Sequence, residues 1–250
     1  MILATGPVGS GKTTSLYCIL KILNKREVNI VTIEDPVEYY IEGVTQIQTN
    51  SKAGLTFAEG LRSIVRQDPN IIMVGEIRDD ETADIAVNAA LTGHLVLSTV
   101  HTNNAATTLP RFLEMGLKPF LIASTVNVVI GQRLVRTICK ECKVTYEESV
   151  EKLRKHLPSE VLERSTKGQE KINLFRGNGC DSCKGTSCQG RIGIHEVMEM
   201  TNELRELIMK DADADTIQSK AISQGMTTML DDAFEKALAG ITTIEEILRV

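Results

Sequence analysis

Short apolar runs alternate along the chain with segments in which apolar residues recur at helical spacing. The runs at residues 2–5, 28–33, 71–74 and 95–100 have the length of buried strands. Between them, apolar residues recur every three or four positions, as they do around residues 85–90. This alternation predicts an α/β fold in which helices cover both faces of a parallel sheet.

The first strand leads into a glycine-rich loop, GPVGSGKTT. The loop fits the phosphate-binding pattern G-x-x-x-x-G-K-[ST] and lies between a strand and a helical pattern, so we prefer this interpretation to an ordinary turn. Its backbone N–H groups would face phosphate oxygens, Lys12 would reach the β- and γ-phosphates, and the Thr13 hydroxyl would bind Mg²⁺. The predicted nucleotide-binding residues are Gly6, Pro7, Gly9, Ser10, Gly11, Lys12, Thr13 and Thr14.

Two carboxylates follow predicted strands, at the sheet edge where parallel α/β folds bind ligands. Glu34 closes the second strand, because Pro36 cannot donate a hydrogen bond to a sheet. Glu76 follows the third strand. We predict that Glu76 holds Mg²⁺ through a bound water and that Glu34 orients or deprotonates the attacking water. The alternative is a pair of solvated carboxylates that bind Arg78 or Lys12.

His94 and His101 bracket the fourth predicted strand. His101 falls at the same edge as the loop and the two carboxylates. Either histidine could sense the γ-phosphate or could complete a local hydrogen-bond network. We include both among the candidate catalytic residues.

Four of the six cysteines form two C-x-x-C pairs, Cys139 with Cys142 and Cys180 with Cys183. Each pair places two thiolates on one tight turn, and two such turns complete a tetrahedron around Zn²⁺. A thioredoxin-like redox pair would need the start of a helix in a βαβ unit, which neither pair has. Because four thiolates leave no open position, the predicted zinc is structural.

The remaining segments carry less chemistry. Cys18 lies near the apolar stripe of the first helix and is expected in the core, whereas Cys188 is either a surplus ligand or a bystander. Residues 191–250 carry helical patterns with candidate N-caps at Thr201 and Thr243. We predict a small C-terminal helical bundle there.

Composition narrows the function classes. The net charge is −5, and the chain has four Tyr, five Phe and no Trp. A dedicated nucleic-acid binder would be basic and rich in stacking aromatics, so we expect no nucleic-acid partner. No apolar run reaches the roughly 18 residues of a transmembrane helix, and no secretory signal is present, so we expect a soluble protein in a reducing cytosol.

Together the motifs resemble those of the hexameric traffic ATPases of type II secretion and type IV pilus assembly, the GspE/PilB-like secretion ATPases. GPVGSGKTTSLY is similar to their Walker A motif, VTIEDPVEY to their aspartate box, VRQDPNIIMVGEIRD to their Walker B motif and TGHLVLSTVHTN to their histidine box. The resemblance continues through GRIGIHEVMEM to GITTIEEILRV. It implies a RecA-like P-loop core (residues 1–138), a four-cysteine zinc module (139–190) and a C-terminal helical region (191–250).

The resemblance also implies roles for single residues. Lys12 and Thr13 correspond to phosphate and magnesium ligands, Glu34 to the general base, and Glu76 to the Walker B acid. His94 corresponds to a histidine that reports the γ-phosphate to the subunit interface, with His101 as its partner. Recurring arginines without an assignable role are Arg62, Arg66 and Arg78.

The chain departs from the family pattern in two ways. Asn70 replaces an aspartate before the third strand, with little expected effect on the chemistry. The N-terminal domain that precedes the core, and supplies arginines to a neighbour's nucleotide, is missing. We therefore expect the chain to be the C-terminal part of a longer protein, whose upstream residues supply partner strands for the first strand.

The resemblance implies a homohexameric motor that uses ATP, Mg²⁺ and structural Zn²⁺. The motor would lie peripherally at the cytoplasmic face of the inner membrane and act on a membrane platform protein that adds pilin or pseudopilin subunits. The four-cysteine module favours assembly or secretion over pilus retraction. The alternatives are a RecA-like nucleic-acid translocase and a nucleotide-binding regulatory subunit that does not hydrolyse ATP.

Overall fold

The computed structural model describes residues 1–166 and 168–249. Its strands are β1 (Ile2–Thr5), β2 (Ile30–Glu34), β3 (Thr45–Gln48), β4 (Ile71–Val74), β5 (Leu95–Val100), β6 (Val128–Ile138), β7 (Lys143–Ser149), β8 (Lys171–Gly177) and β9 (Cys188–Glu199). Its helices are α1 (Lys12–Leu23), α2 (Phe57–Ile64), α3 (Asp80–Leu91), α4 (Thr108–Glu114), α5 (Pro119–Thr125), α6 (Val150–Leu153), α7 (Ser159–Thr166), α8 (Asn202–Met209), α9 (Ala214–Ser223), α10 (Met229–Leu238) and α11 (Ile244–Arg249). Within these residues, no helix has the length and apolarity needed to cross a bilayer.

The chain forms two compact units. Unit 1 comprises Met1–Gly131 and Val197–Met226, and unit 2 comprises Gln132–Glu196 and Thr227–Val250. The division into three domains with boundaries at residues 138 and 190 stays a prediction.

Unit 1 contains a parallel sheet in the order β3-β2-β4-β5-β1-β6. The predicted parallel α/β architecture is confirmed. The expectation that upstream residues supply partners for β1 is wrong, because β1 pairs with β5 on one side and with β6 on the other. The second partner, β6, is rich in Val and Ile, and we did not predict it as a strand.

The apolar run of β4 shows why this sheet is covered on both faces. Ile72 and Val74 belong to one buried cluster, which includes side chains of α2 and α3. Ile71 and Met73 belong to the cluster on the other face, which includes side chains of α1. Successive strand residues point to opposite faces, so a strand covered on both faces is apolar at every position.

Helix α1 buries one face, which includes Leu16, Tyr17 and Leu20. The expectation that Cys18 lies in the core is wrong, because Cys18 is exposed. Leu16 and Leu20 are four residues apart and share a face of the helix, whereas Cys18 is turned by about 200° from Leu16.

Unit 2 has its own core around a two-stranded antiparallel sheet of β7 and β8. Strand β9 pairs with β6. Side chains from several elements pack together there, among them Val135 of β6, Leu162 of α7, Leu174 of β8 and Phe234 of α10. Each buried Leu or Phe side chain stabilises such a core by roughly 1.5–3 kcal/mol.

The predicted C-terminal bundle is not confirmed, because its helices belong to different units. Leu204 of α8 and Ile217 of α9 are buried in the unit 1 core. Phe234 of α10 and Ile247 of α11 are buried in the unit 2 core. The predicted N-caps are present, since Thr201 Oγ1 accepts from Leu204 N–H and Thr243 Oγ1 accepts from Glu246 N–H.

Helix α11 is attached to β6 through Glu246, which is 3% exposed. Its carboxylate accepts hydrogen bonds from the Arg136 backbone N–H at 2.9 Å and from Arg136 Nη2 at 2.6 Å. Arg249 Nη2 donates to it as well, at 3.0 Å. Burial alone would raise the pKa of Glu246, but the arginine hydrogen bonds outweigh it and lower the pKa from 4.5 to about 2. The ion pair is therefore a pH-dependent source of stability in unit 2.

We expect Glu246→Gln to lower the free energy of unfolding at pH 7 by about 2–4 kcal/mol, because two guanidinium groups lose their charged partner. A depressed carboxylate pKa stabilises the fold above the ordinary pKa, and that stability is lost as pH falls toward the folded pKa. The wild type should therefore lose stability between about pH 4.5 and pH 2, and the variant should lose less. Urea unfolding at several pH values measures this, with the exposed Glu245→Gln as control. Equal acid sensitivity in the variant and the wild type would contradict it.

Candidate functional site

The glycine-rich loop joins the end of β1 to the start of α1. Gly9 and Gly11 have φ values of 78° and 87°, which residues with a Cβ rarely adopt, so the tight curl of the loop depends on them. Lys12, the first residue of α1, is 8% exposed, and its Nζ donates to Gly6 O at 2.7 Å and to Pro7 O at 3.0 Å. Burial lowers the pKa of Lys12, and the Glu76 carboxylate partly opposes this effect. The ammonium group is thus held inside the loop by two carbonyl groups, and the negative charge of Glu76 attracts it.

Glu34 ends β2 and is 1% exposed. Its Oε2 accepts a hydrogen bond from the Tyr17 hydroxyl, and its Oε1 accepts from Thr32 Oγ1 at 2.5 Å and from Gln46 Nε2 at 3.1 Å. A carboxylate can accept about four hydrogen bonds, so three donors leave room for one more, such as a water. These donors fix the orientation of the carboxylate.

Tyr17 is the donor on α1 in this network. Burial, followed by the hydrogen bond and the charge of Glu34, raises the pKa of Tyr17 above its ordinary value. The hydroxyl therefore keeps its proton across the working pH range and remains a donor to Glu34. Its ring packs edge-on against that of Tyr39, with the ring centroids 4.7 Å apart.

Glu76 follows β4 and is 8% exposed. Arg78 Nη2 donates to one carboxylate oxygen, and His101 Nε2 lies 3.1 Å from the other. The side chains of Arg78 and His101 are 60% and 43% exposed, so they approach the carboxylate from the solvent side. The pairing with Arg78 that we considered for a solvated carboxylate is present, but Glu76 itself is buried.

These groups surround one cavity of about 480 Å³. It lies at the carboxyl edge of the parallel sheet, as expected for an α/β ligand site. Its walls contain the predicted residues Gly9, Ser10, Gly11, Lys12, Thr13, Thr14, Glu34, Glu76 and His101. Gly6 and Pro7 are not in its walls and instead supply the carbonyls that accept from Lys12.

His94 lies elsewhere. It precedes β5, so it is at the amino edge of the sheet and outside the cavity walls. Its Nδ1 lies 2.8 Å from Ala89 O and 3.1 Å from Thr92 Oγ1, near the end of α3. Within this unit the structure gives His94 a local hydrogen-bond network, and its proposed role at a subunit interface stays a prediction.

The three arginines without an assigned role fall in two places. Arg78 is in the walls of the cavity with Glu76. Arg62 and Arg66 line a separate groove of about 270 Å³ beside α2 and α3. Arg62 also pairs with Glu59 and Glu81.

Tyr17, Thr32 and Gln46 are site residues that we did not predict. Tyr17 could have been found, because it lies four residues after Thr13 and so shares a face of α1 with it. Thr32 could also have been found, since it is two residues before Glu34 and points to the same side of β2. Gln46 carries no such signal, because its place opposite Thr32 depends on the parallel pairing of β2 with β3.

The four paired cysteines form a second candidate site, in unit 2. Their sulfurs all lie within 4.8 Å of one another. Three of the separations are 3.8 Å (Cys139 to Cys180), 3.9 Å (Cys142 to Cys183) and 3.7 Å (Cys180 to Cys183). A tetrahedron with Zn–S bonds of about 2.3 Å separates its sulfurs by about 3.8 Å. The cluster therefore has the dimensions of a four-thiolate metal site.

The antiparallel sheet explains how the distant pairs meet. Lys143 at the start of β7 is opposite Gly177 at the end of β8, so one cysteine pair precedes one strand and the other pair follows its neighbour. Asn178 N–H donates to Cys142 O at 3.0 Å and closes this end of the sheet. Gly179 and Gly185 flank the second pair and have φ values of 77° and 74°, which its tight turns require.

The chemistry of the cluster agrees with metal binding. Burial alone would raise the pKa of Cys183, but hydrogen bonds, first that from the Cys180 N–H, lower it to about 6, whereas burial raises the pKa of Cys142 to about 11. Cys183 is therefore the more readily ionised of these two thiols, and the thiolate is the form that binds metals. Cys188 is not part of the four-sulfur cluster found among the described residues, which favours the bystander interpretation.

The comparisons with known proteins agree with this geometry. Residues 1–249 match the family described as type II/IV secretion system protein. The type II secretion system ATPase E of Vibrio cholerae is 48% identical over 250 residues, which cover 100% of this chain and 48% of that protein. The type IV pilus assembly ATPase PilB of Thermus thermophilus is 48% identical over 248 residues, which cover 99% of this chain and 27% of that protein.

A crystal structure of the pilus retraction motor PilT with bound ADP superimposes with a TM-score of 0.71 at 27% identity, covering 99% of this chain and 60% of that one. This likeness confirms the predicted P-loop ATPase fold. The chain spans about half the length, or less, of the curated relatives described above. Because the family match covers nearly all of its length, the chain belongs to the type II/IV secretion system protein family.

Proposed function

We propose that this chain is the motor part of a Mg²⁺-dependent ATPase that forms a ring, most simply a hexamer, and powers type IV pilus assembly or type II protein secretion. One observation carries the proposal. A single cavity brings together the phosphate loop, a buried carboxylate fixed by three donors and a second buried carboxylate beside His101. Family membership supports the choice of ATP and of the biological system.

In this proposal the chain's own groups bind the phosphates and activate the attacking water. The loop N–H groups and the Lys12 ammonium neutralise the charge of the phosphates. Glu34 accepts a proton from, or orients, the water that attacks the γ-phosphate, and its three donors hold the carboxylate in place. Burial of Lys12 and Glu34 keeps their electrostatic effects strong, because water screens them little.

The residues present fit a Mg²⁺ ion. The Thr13 hydroxyl and the Glu76 carboxylate are hard oxygen donors in the walls of one cavity, and they would hold it. The ion would neutralise charge on the β- and γ-phosphates. His101 and Arg78 would then orient the Glu76 carboxylate through the contacts described above.

The four-sulfur cluster fits Zn²⁺ bound by Cys139, Cys142, Cys180 and Cys183. We assign this ion a structural role in unit 2, because four thiolates leave no position for a substrate. A module of this kind favours assembly or secretion over retraction as the direction of work. The names of the two curated relatives support the same choice.

The proposal extends to location and partners. The motor would lie at the cytoplasmic face of the inner membrane as a peripheral protein and act on a membrane platform protein. A RecA-like nucleic-acid translocase is the alternative, and the acidic net charge of −5 counts against it. A regulatory subunit without turnover is a further alternative, and the buried Glu34 and Glu76 count against it.

The test is Mg²⁺-dependent ATPase activity of the full-length protein, beside Lys12→Ala and the exposed Lys25→Ala as control. We expect turnover that requires Mg²⁺, with kcat/KM reduced at least about 100-fold in Lys12→Ala, because the buried ammonium no longer stabilises the phosphates. Light scattering should detect rings in the presence of ATP. Activity that depends on added DNA would favour the translocase, and binding without turnover would favour the regulatory subunit.

A further inference from the structure

Gln46 links two parts of the site without entering the cavity. It lies on β3, the edge strand, opposite Thr32 of β2. Its Nε2 donates to Glu34 Oε1 at 3.1 Å and to Tyr39 O at 3.2 Å, while its Oε1 accepts from the Ile41 N–H at 2.7 Å. One side-chain amide therefore holds both the buried carboxylate and the loop of residues 35–44, which joins β2 to β3.

The partners of this amide determine which way it points. Glu34 and the Tyr39 carbonyl are acceptors and need the NH₂ group, whereas the Ile41 N–H is a donor and needs the oxygen. A flipped amide would face all three with the wrong atom. No other uncharged side chain of this length offers a donor and an acceptor at the same end, so the position requires glutamine.

The loop of residues 35–44 forms part of the cavity. Asp35, Pro36, Glu38 and Tyr39 are in its walls. Movement of this loop away from β3 would break the contacts of Gln46 with Tyr39 and Ile41 and leave its amide free to turn away from Glu34. Placement of the loop and orientation of the carboxylate are thus joined through one side chain.

We propose that Gln46 is a positioning residue for the ATP hydrolysis proposed above: it keeps the Glu34 carboxylate oriented only while the loop of residues 35–44 is packed against β3. The inference rests on the proposed function of Glu34 as the residue that activates water. It adds a residue outside the cavity whose contacts make that activation depend on the conformation of the loop.

Two variants separate the contact of Gln46 with Glu34 from its contacts with the loop of residues 35–44. Gln46→Glu keeps an oxygen for the Ile41 N–H but turns an acceptor, and a negative charge, toward Glu34. Gln46→Ala removes the contacts with Glu34 and with the loop. Gln48→Ala is the matched control, because Gln48 lies on the same strand and its side chain accepts from the Val37 N–H at 3.2 Å in the same loop. The donors to the Glu34 carboxylate described above are Tyr17, Thr32 and Gln46.

The decisive readout is the split between kcat and KM in the full-length protein. Losing a donor leaves the Glu34 carboxylate less firmly oriented, and Gln46→Glu also turns an acceptor toward it. We expect kcat to fall about tenfold in both variants, with KM within about threefold of the wild type.

Hydrogen exchange supplies a readout that does not depend on turnover. Protection of the Ile41 amide should be kept in Gln46→Glu and lost in Gln46→Ala, and Gln48→Ala should match the wild type in kcat. A kcat within about twofold of the wild type in both Gln46 variants would overturn the inference. An inactive wild-type protein would overturn the proposed function instead, so the two failures are distinguishable.

Discussion

Glu34→Gln should stop ATP turnover and leave ATP binding intact. The substitution keeps the length of the side chain, and the new amide can still accept from Thr32 and Gln46 and donate to the Tyr17 oxygen. What it removes is the ability to take a proton from water, a contribution of roughly 100- to 10,000-fold to the rate. We therefore expect kcat to fall by that factor in the full-length protein, with ATP affinity within about threefold of the wild type.

The matched control is Glu38→Gln, since Glu38 is an exposed carboxylate in the walls of the same cavity. Steady-state hydrolysis and equilibrium binding of a fluorescent ATP analogue measure the two quantities separately. Turnover in Glu34→Gln within tenfold of the wild type would show that another group activates the water.

Loss of the four-sulfur site should destabilise unit 2. Cys180 lies 3.8 Å from the Cys139 sulfur and 3.7 Å from the Cys183 sulfur, so Cys180→Ser should open the tetrahedron and abolish stoichiometric zinc. Structural zinc binds small domains with apparent free energies of about 10–16 kcal/mol, which bounds the loss, and we expect several kcal/mol. Metal analysis and urea unfolding provide the measurement.

Cys188→Ser is the control for that experiment, because Cys188 is outside the cluster and should be dispensable for zinc. A chelator should reproduce the effect of Cys180→Ser in the wild-type protein and should have no effect on the variant. Full zinc content in Cys180→Ser, with unchanged urea unfolding, would refute the assignment of the four sulfurs as one site.

Local chemistry made much of this site predictable. Some features depend only on residues that are adjacent in sequence. These are the glycine-rich loop, the acids Glu34 and Glu76 at the ends of β2 and β4, and the two C-x-x-C pairs. The shared edge of a parallel sheet then brings Glu34, Glu76 and His101 together without further information. The apolar run before Glu76 was equally informative, because only a strand covered on both faces is apolar at each position.

The features that were missed depend on long-range pairing. Strand β6 pairs with the second edge of β1, although more than a hundred residues separate Ile2 from its partner Val128. Gln46 reaches Glu34 only because β3 joins β2 at one particular register. The C-terminal helices were predicted as helices, but spacing alone could not say which core each of them would join.

The central claim is a division of labour between two carboxylates, and the Mg²⁺ dependence of ATP hydrolysis tests it most directly. Titrations of Mg²⁺ with the wild-type full-length protein, Glu76→Gln and Glu34→Gln would be compared. The account predicts that Glu76→Gln raises the Mg²⁺ concentration for half-maximal activity by at least about tenfold, whereas Glu34→Gln lowers the maximal rate and leaves that concentration unchanged. Unchanged Mg²⁺ dependence in Glu76→Gln, or a shifted one in Glu34→Gln, would contradict it.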